Sequence, residues 1–334
     1  MCAKVAIVYN EPVPSRYDLT NEGKAVISVL DSVEAVHQAL LELGYDVVRV
    51  PLVLPLEQAR KELKSLAVDL VFNLFEGFGG YPETEVLVPE VATEMGIPYT
   101  GCSSAAIILA LDKAKTKAVL GKSGVATSRY QVLSPETLSL FHLSYPCIVK
   151  PGREDASHGL SEESVVYDFT SLEKQVRVVS NLYGGEVLVE EFLDGQEFSA
   201  TVLGNSECTV LPVSEMTYSL PPGKPRILTF AAKWEPDSLY FQGTKVICPA
   251  QIPNQERERI AKMALAVFQL LCRRGYARVD MRLDGKGRLN VIEVNPNPDI
   301  SPGTGATRQA EAAGMSYPEF IGKIVVLALE KNQR

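Results

Sequence analysis

Histidine is scarce in this chain: three residues in 334 (His37, His142, His158), too few and too scattered for a histidine-built zinc site. The six cysteines (Cys2, Cys102, Cys147, Cys208, Cys248, Cys272) form no C-x-x-C pair and no tight cluster. An even number would permit disulfides. The opening stretch Met1–Pro14 nevertheless passes directly into a strand pattern, without the apolar core and cleavage site of a secretory signal, which predicts reduced thiols and a cytoplasmic setting. No uncharged apolar run of membrane-spanning length exists, so no membrane span is expected. Excess positive charge is absent too: 33 Lys and Arg against 41 Asp and Glu leave a net charge of −8. That argues against nucleic acid or an anionic membrane as a general partner, while leaving room for a local basic pocket. What is present, 46% hydrophobic residues and no low-complexity linker, suffices for two or three packed units.

The first hundred residues alternate strand and helix signals. Val5–Tyr9 is a β-branched run; Ser32 reads as the cap of a helix with Val33, Val36, Leu40 and Leu43 on its apolar face, stopped by Gly44. Val47–Val50, a helix over Leu56–Leu66 and a third strand at Leu70–Asn73 complete a βαβαβ order, the signature of a parallel sheet. The sequence argues against a dinucleotide site, because Asn10-Glu11-Pro12-Val13-Pro14 follows the first strand with no glycine for a pyrophosphate to approach. Gly77-Phe78-Gly79-Gly80 has the wrong spacing and follows the third strand.

Beyond residue 100 the pattern changes. Asp112 can cap a lysine-rich helix that ends near Gly124. Strands are expected at Arg129–Leu133, Cys147–Lys150, Val187–Glu191 and Glu197–Leu203, with a helix near Ser171–Asn181. A long helix (Gln255–Arg273), a hairpin (Tyr276–Asn295) and a closing helix (Tyr317–Lys331) finish the chain, with unit boundaries near 100 and 185.

The hairpin carries most information. Ala277, Val279, Met281 and Leu283 alternate with Arg278, Asp280 and Arg282, and Glu293 and Asn295 share a face. With Gly285-Lys286-Gly287-Arg288 as the loop, Asp284 pairs with Leu289, which sets Asp280 opposite Glu293 and Arg278 opposite Asn295. Facing carboxylates repel unless a proton or cation lies between them. An all-oxygen set favours Mg²⁺ or Mn²⁺; a solvated face neutralised by Arg278 is the plainer alternative. A Mg²⁺ ion with few protein ligands shares its shell with nucleotide phosphates, which calls for lysine clamps. Lys150 ends the apolar strand Cys147-Ile148-Val149, and the small polar loop after it can fold over phosphate. Taken alone, Lys150 reads as a strand-end charge, Lys113 as part of a solvated helix face, and Lys233 beside Trp234 as ambiguous; convergence is what raises them.

Together, Tyr145-Pro146-Cys147-Ile148-Val149-Lys150-Pro151, Val189-Glu190-Glu191-Phe192-Leu193-Asp194-Gly195-Gln196-Glu197-Phe198, Arg278-Val279-Asp280 and Glu293-Val294-Asn295 resemble the ATP-grasp fold. Phe72-Asn73, Glu76-Gly77, Pro98-Tyr99-Thr100-Gly101, Asp112-Lys113 and Cys248-Pro249-Ala250 make the chain most similar to the D-alanine–D-alanine ligase-like group, over about Val5 to Leu329. The resemblance implies an α/β (α+β) architecture: a Rossmann-like parallel-sheet domain (1–100), then two ATP-grasp subdomains, 101–185 with the phosphate loop and 186–334 with the metal site. It implies ATP and two Mg²⁺ (or Mn²⁺) ions as cofactors. Lys113 and Lys150 would contact phosphates under a loop Arg153–Gly159 that includes Ser157, and Lys233 would reach the γ-phosphate. Glu190, Glu191, Phe192 and Leu193 would form the adenine hinge, and Glu197 would hold the ribose. Asp280, Glu293 and Asn295 would ligate metal, with Arg278 stabilising the acyl phosphate and tetrahedral intermediate.

The departures fall on the substrate side. Asn10–Arg16 replaces the family's glycine-rich segment, with Glu11 as a substitute acid; Ala156 replaces a loop serine; Trp234 replaces a tyrosine; Glu76 replaces a histidine; and Asp299 replaces a glycine near Thr304. A changed substrate is the expectation, and the acids Glu76, Glu83, Glu85 and Asp299 suit an amine-bearing one, with surface charge as the alternative. The implied reaction is ATP-dependent joining of a carboxylate and an amine, on an amino acid or small peptide. The D-alanine pair, a phosphotransferase that stops after the first transfer and a non-catalytic nucleotide binder are the alternatives. Relatives of this kind are often homodimers, which is the expectation here.

Overall fold

Both faces of Val5–Val8 are buried, as an inner parallel strand requires. The computed structural model describes residues 2–13, 28–79, 81–154 and 157–330. Among the described residues the strands are β1 (Lys4–Asn10), β2 (Asp46–Leu52), β3 (Leu70–Leu74), β4 (Tyr130–Leu133), β5 (Cys147–Pro151), β6 (Val165–Val166), β7 (Val187–Glu191), β8 (Glu197–Gly204), β9 (Cys208–Val210), β10 (Ser214–Tyr218), β11 (Thr244–Ile247), β12 (Tyr276–Leu283) and β13 (Leu289–Pro296). They form three sheets.

The first sheet is parallel with order β2-β1-β3. One face packs on the helix Val29–Glu42 through Val33, Val36 and Leu40, the other on helices Leu56–Lys64 and Leu87–Met95. The expected cap differs. The first helix starts at Val29, so Ser32 lies inside it, and its hydroxyl meets Asp299 (3.2 Å) and Ser301 (2.6 Å) instead of a backbone N–H of its own helix. Ser15 and Arg16 lie outside the described residues.

The second sheet, β4-β7-β5-β6, is antiparallel and backed by the helix Phe169–Tyr183, whose cap Asp168 accepts the Ser171 N–H (2.8 Å). The third runs β11-β10-β8-β12-β13 with β9 beside β8, and the helix Asn254–Leu271 covers one face. The closing helix, Tyr317–Leu329, returns to the first sheet's core through Phe320, Ile321, Ile324 and Val325; Lys331 lies outside the described residues. No single helix among the described residues is long and apolar enough to cross a membrane.

The β12–β13 hairpin holds one correction. Arg278 faces Asn295 and Asp280 faces Glu293 as expected, but Leu283, not Asp284, faces Leu289. A bulge between Asp280 and Met281, where Ile292 has no partner, absorbs the extra residue of the longer turn. Asp284 closes that turn by accepting the N–H groups of Lys286 and Arg288. Between the sheets, Val291 N donates to Ala126 O (2.9 Å), and Gly275 lies so near Gly101 that a Cβ would sit 2.4 Å from the Gly101 carbonyl.

Candidate active site

The charged face of the hairpin opens into a cavity of about 1000 Å³ lined by residues of all three sheets' loops. The Arg278 guanidinium makes two parallel bonds to Asp280 (Nε–Oδ1 2.8 Å, Nη2–Oδ2 2.9 Å), and Asn295 Nδ2 donates to Asp280 Oδ2 (2.9 Å). Lys113 Nζ donates to Glu293 Oε1. Burial pushes the Glu293 carboxyl up, but Lys113, then Lys150 and Lys233, outweigh it and hold the pKa down to about 2. Burial likewise opposes the Arg278 charge, and Asp280 more than restores it. Two carboxylates and an amide on adjacent strands form a hard oxygen set.

Lys113 opens the helix Lys113–Lys122, which Asp112 caps by accepting Lys115 N (2.9 Å), and its own N–H reaches Gly152 O (3.3 Å) at the start of the phosphate loop. Lys150 reaches Glu190 Oε1 at 3.4 Å from β5. In the loop, Ser157 (φ 64°) and Gly159 (φ 72°) are left-handed, and Gly159 lies against Pro151 and Tyr183; Ala156 lies outside the described residues. Ser157, Glu190, Glu191, Phe192, Leu193, Glu197 and Lys233 line a second, smaller hollow of about 90 Å³ beside Lys150. Glu197 accepts from Tyr218 (2.9 Å) and pairs with Arg282 (3.2 Å).

Not every residue singled out from sequence converges. Arg153 is exposed near Asp112 and lines neither hollow. The Glu191 carboxylate turns outward to Arg129 (3.0 Å) and the Ser144 N–H. Glu11 sits exposed past the end of β1, and the neighbour that faces the cavity is Asn10, whose Oδ1 accepts the Glu76 N–H (3.2 Å). Glu76, Trp234, Asp299 and Thr304 do line the cavity. Trp234 Nε1 is buried without a hydrogen-bond partner. Asp299 Oδ1 accepts from Ser32 and Ser301, and the Thr304 hydroxyl bonds the carbonyls of Asp299 and Ser301 at the start of the helix Gly305–Ala312.

One buried cation escaped the sequence reading. Lys117, 3% exposed, lies 3.2 Å from Glu190, itself 2% exposed. Its spacing of four from Lys113 puts the two on one helix face, the signal that could have exposed it.

This arrangement defines an ATP-grasp ligase architecture, and the comparisons with known proteins agree. Residues 120–326 match the family model described as D-ala D-ala ligase C-terminus. The chain is 30% identical to the D-alanine–D-alanine ligase of Carboxydothermus hydrogenoformans, over 90% of this chain and 93% of that protein. It is 35% identical to the uncharacterized protein y4sG of Sinorhizobium fredii, over 78% and 74%. The solved VanG D-Ala:D-Ser ligase from Enterococcus faecalis superposes with a TM-score of 0.76 at 20% identity, covering 98% of this chain and all of that one. The chain belongs to the D-alanine–D-alanine ligase-like group of ATP-grasp ligases.

Proposed function

We propose that this protein joins the carboxylate of one amino acid or small peptide to the amine of another through an acyl phosphate, releasing ADP and phosphate, and that the pair is not two D-alanines. One observation carries the reading. The nucleotide side of the cavity presents Lys150, Lys233, Arg278, Asp280, Glu293 and Asn295, with Lys113 paired to Glu293, while the substrate side presents Glu76, Trp234 and Asp299.

Asp280, Glu293 and Asn295 fit Mg²⁺ or Mn²⁺ by donor chemistry: two carboxylates and an amide, all-oxygen, with the remaining shell left to phosphate and water. Bound there, two ions would neutralise charge as the γ-phosphoryl group moves. Lys150 and Lys113 hold the transferred and leaving phosphates, and Lys233 supplies a third cation from the far wall. The substrate carboxylate oxygen attacks the γ-phosphorus, giving an acyl phosphate and ADP. The deprotonated amine then attacks the acyl carbon, Arg278 holds the developing oxyanion, and phosphate leaves. Ser157 and Gly159, both left-handed, shape the loop over the phosphates. Phe192 and Leu193 give the adenine an apolar wall, with Glu197 on the ribose side.

The test is phosphate release with product masses, using Mg²⁺·ATP and a panel of D- and L-amino acids and dipeptides, singly and in pairs. Release that requires a pair and yields a new amide mass is expected. A stable phosphorylated product from one substrate would establish a phosphotransferase, and D-alanine as the sole efficient substrate would return the chain to its relatives' named reaction.

A further inference from the structure

The Lys113–Lys122 helix buries a lysine that no cavity reaches. Lys117 lines neither hollow, and an ammonium has three donors. All three are taken: by Thr127 Oγ1 (2.8 Å), Ser128 Oγ (2.9 Å) and Glu190 Oε2 (3.2 Å). It therefore cannot bind a ligand itself. The Glu190 carboxylate is shared: Oε2 receives Ser128 (2.8 Å) and Lys117, and Oε1 receives Lys150 at the long distance of 3.4 Å. Lys150, unlike Lys117, lines the hollow. One carboxylate thus stands between two ammonium groups.

Resting on the ligase reading, we propose that Lys117 is a positioning residue for nucleotide phosphate: by neutralising Glu190 from behind, it leaves the Lys150 ammonium available to an incoming polyphosphate. The physical argument is competition. Without Lys117, Glu190 would have Lys150 as its single cation, and the two would close into a tight, neutral pair. A phosphate would then have to break that pair and approach an uncompensated carboxylate. With Lys117 in place, Glu190 is satisfied from the buried side and the bond to Lys150 stays weak. The electrostatics agree in direction: burial pushes the Lys117 proton affinity down while Glu190 supports it, and both lysines hold Glu190 below the ordinary carboxylate range against its burial. Neutral parts of the nucleotide do not enter this competition.

The experiment is calorimetric titration of the full chain in Mg²⁺ buffer with ADP and with adenosine, comparing wild type with Lys117→Met and Lys117→Arg. Lys117→Met is expected to weaken ADP by about tenfold while adenosine stays within about threefold. Lys117→Arg, which keeps the charge, is expected to restore most of the ADP affinity. In turnover, the KM for ATP should rise more than kcat falls. Should the methionine variant fail to fold, Ser128→Ala removes the hydroxyl that bridges Lys117 and Glu190, and a roughly threefold loss confined to ADP is expected. Equal losses for adenosine and ADP, or an unchanged ADP affinity, would overturn the inference while leaving the ligase reading intact. Wild-type protein that binds neither nucleotide would overturn the ligase reading, and the inference with it.

Discussion

Glu190→Gln removes one negative charge and almost no volume from the buried corner where the Lys113–Lys122 helix meets β7, which makes its cost calculable. At 3.2 Å from Lys117 and 3.4 Å from Lys150, each pair carries about 5 kcal/mol of Coulomb attraction at an effective dielectric of about 20. The full sum is not lost. Removing the charge also recovers the desolvation cost of the carboxylate, and Lys150, which lines the cavity, can turn to water. Lys117 cannot: it keeps two hydroxyl partners and loses the carboxylate it pairs with. Breaking a buried pair from one side costs about 3–5 kcal/mol, and that is the expected loss in urea unfolding at neutral pH. Lys117→Met leaves Glu190 with Lys150, so its cost is smaller. The double variant should lose at least about 2 kcal/mol less than the two single losses added together, because neither charge is then stranded. Strict additivity, or a Glu190→Gln loss below about 1 kcal/mol, would refute the claim that this shared charge holds the corner.

The same group fixes a pH dependence. Burial raises the Glu190 pKa, but Lys117 and Lys150 outweigh it, so the folded value lies below the unfolded one. Its contribution to stability is therefore complete above the unfolded pKa of about 4.3 and is lost as pH falls through the folded value. Wild-type unfolding midpoints should drop in that acid window, and Glu190→Gln should show a shallower drop; parallel curves would sink the assignment. Asp280→Asn and Glu293→Gln should each reduce turnover by about a thousandfold or more with the circular-dichroism spectrum unchanged, and wild-type rates in either would remove the metal assignment. Gly275→Ala places a methyl 2.4 Å from the Gly101 backbone at φ 77°, where no flexible side chain can yield, so a loss of about 2–4 kcal/mol is expected; a neutral result would mean the two loops separate easily. Glu76→His with Trp234→Tyr returns two cavity positions to the residues typical of D-alanine ligases and should raise turnover with D-alanine relative to the native pair. No change there would place specificity elsewhere.

Alternation alone read the hairpin's charged face, because Asp280 and Glu293 sit on the outward parity of their strands. It missed the bulge at Ile292, since parity is blind to an inserted residue that a longer turn offsets. The family resemblance, which offered Glu11 as a substitute acid, fell one residue too far: Asn10 ends β1 facing Glu76, and Glu11 is past the strand. The helix Lys113–Lys122 misled more deeply. Four lysines in ten residues read as a solvated face, yet Thr116, Lys117 and Leu120 are its buried residues. The reason is tertiary. Glu190 meets Lys150 because β5 and β7 pair with Ile148 opposite Glu190, and the helix docks Lys117 on the same carboxylate. No local pattern encodes that docking, so Glu190 read only as part of a nucleotide hinge.

The division of labour in the cavity reflects the elements that carry each side. The cations and carboxylates of the nucleotide side project from β5, β7, β12 and β13 and from a capped helix start, and they are cross-braced by ion pairs inside the fold. The proposed substrate side is built from the turn after β3 bearing Glu76 and the Asn297–Thr304 loop after β13, while the short helix Phe230–Trp234 contributes Trp234 to it and Lys233 to the nucleotide side. The bonds that fix these loops stay local, with the Glu76 N–H on Asn10 and the Asp299 carboxylate on Ser32 and Ser301, away from the shared charge at Glu190. Substitutions at Glu76 or Trp234 therefore leave the ion pairs around Glu190 in place, whereas Asp299 also supports the Arg278 charge. A chain losing its activity would be under no such restriction, and damage would fall on both sides alike. Departures at Glu76, Trp234 and Asp299, beside a mutually dependent set of charges, are what the proposed change of substrate rests on.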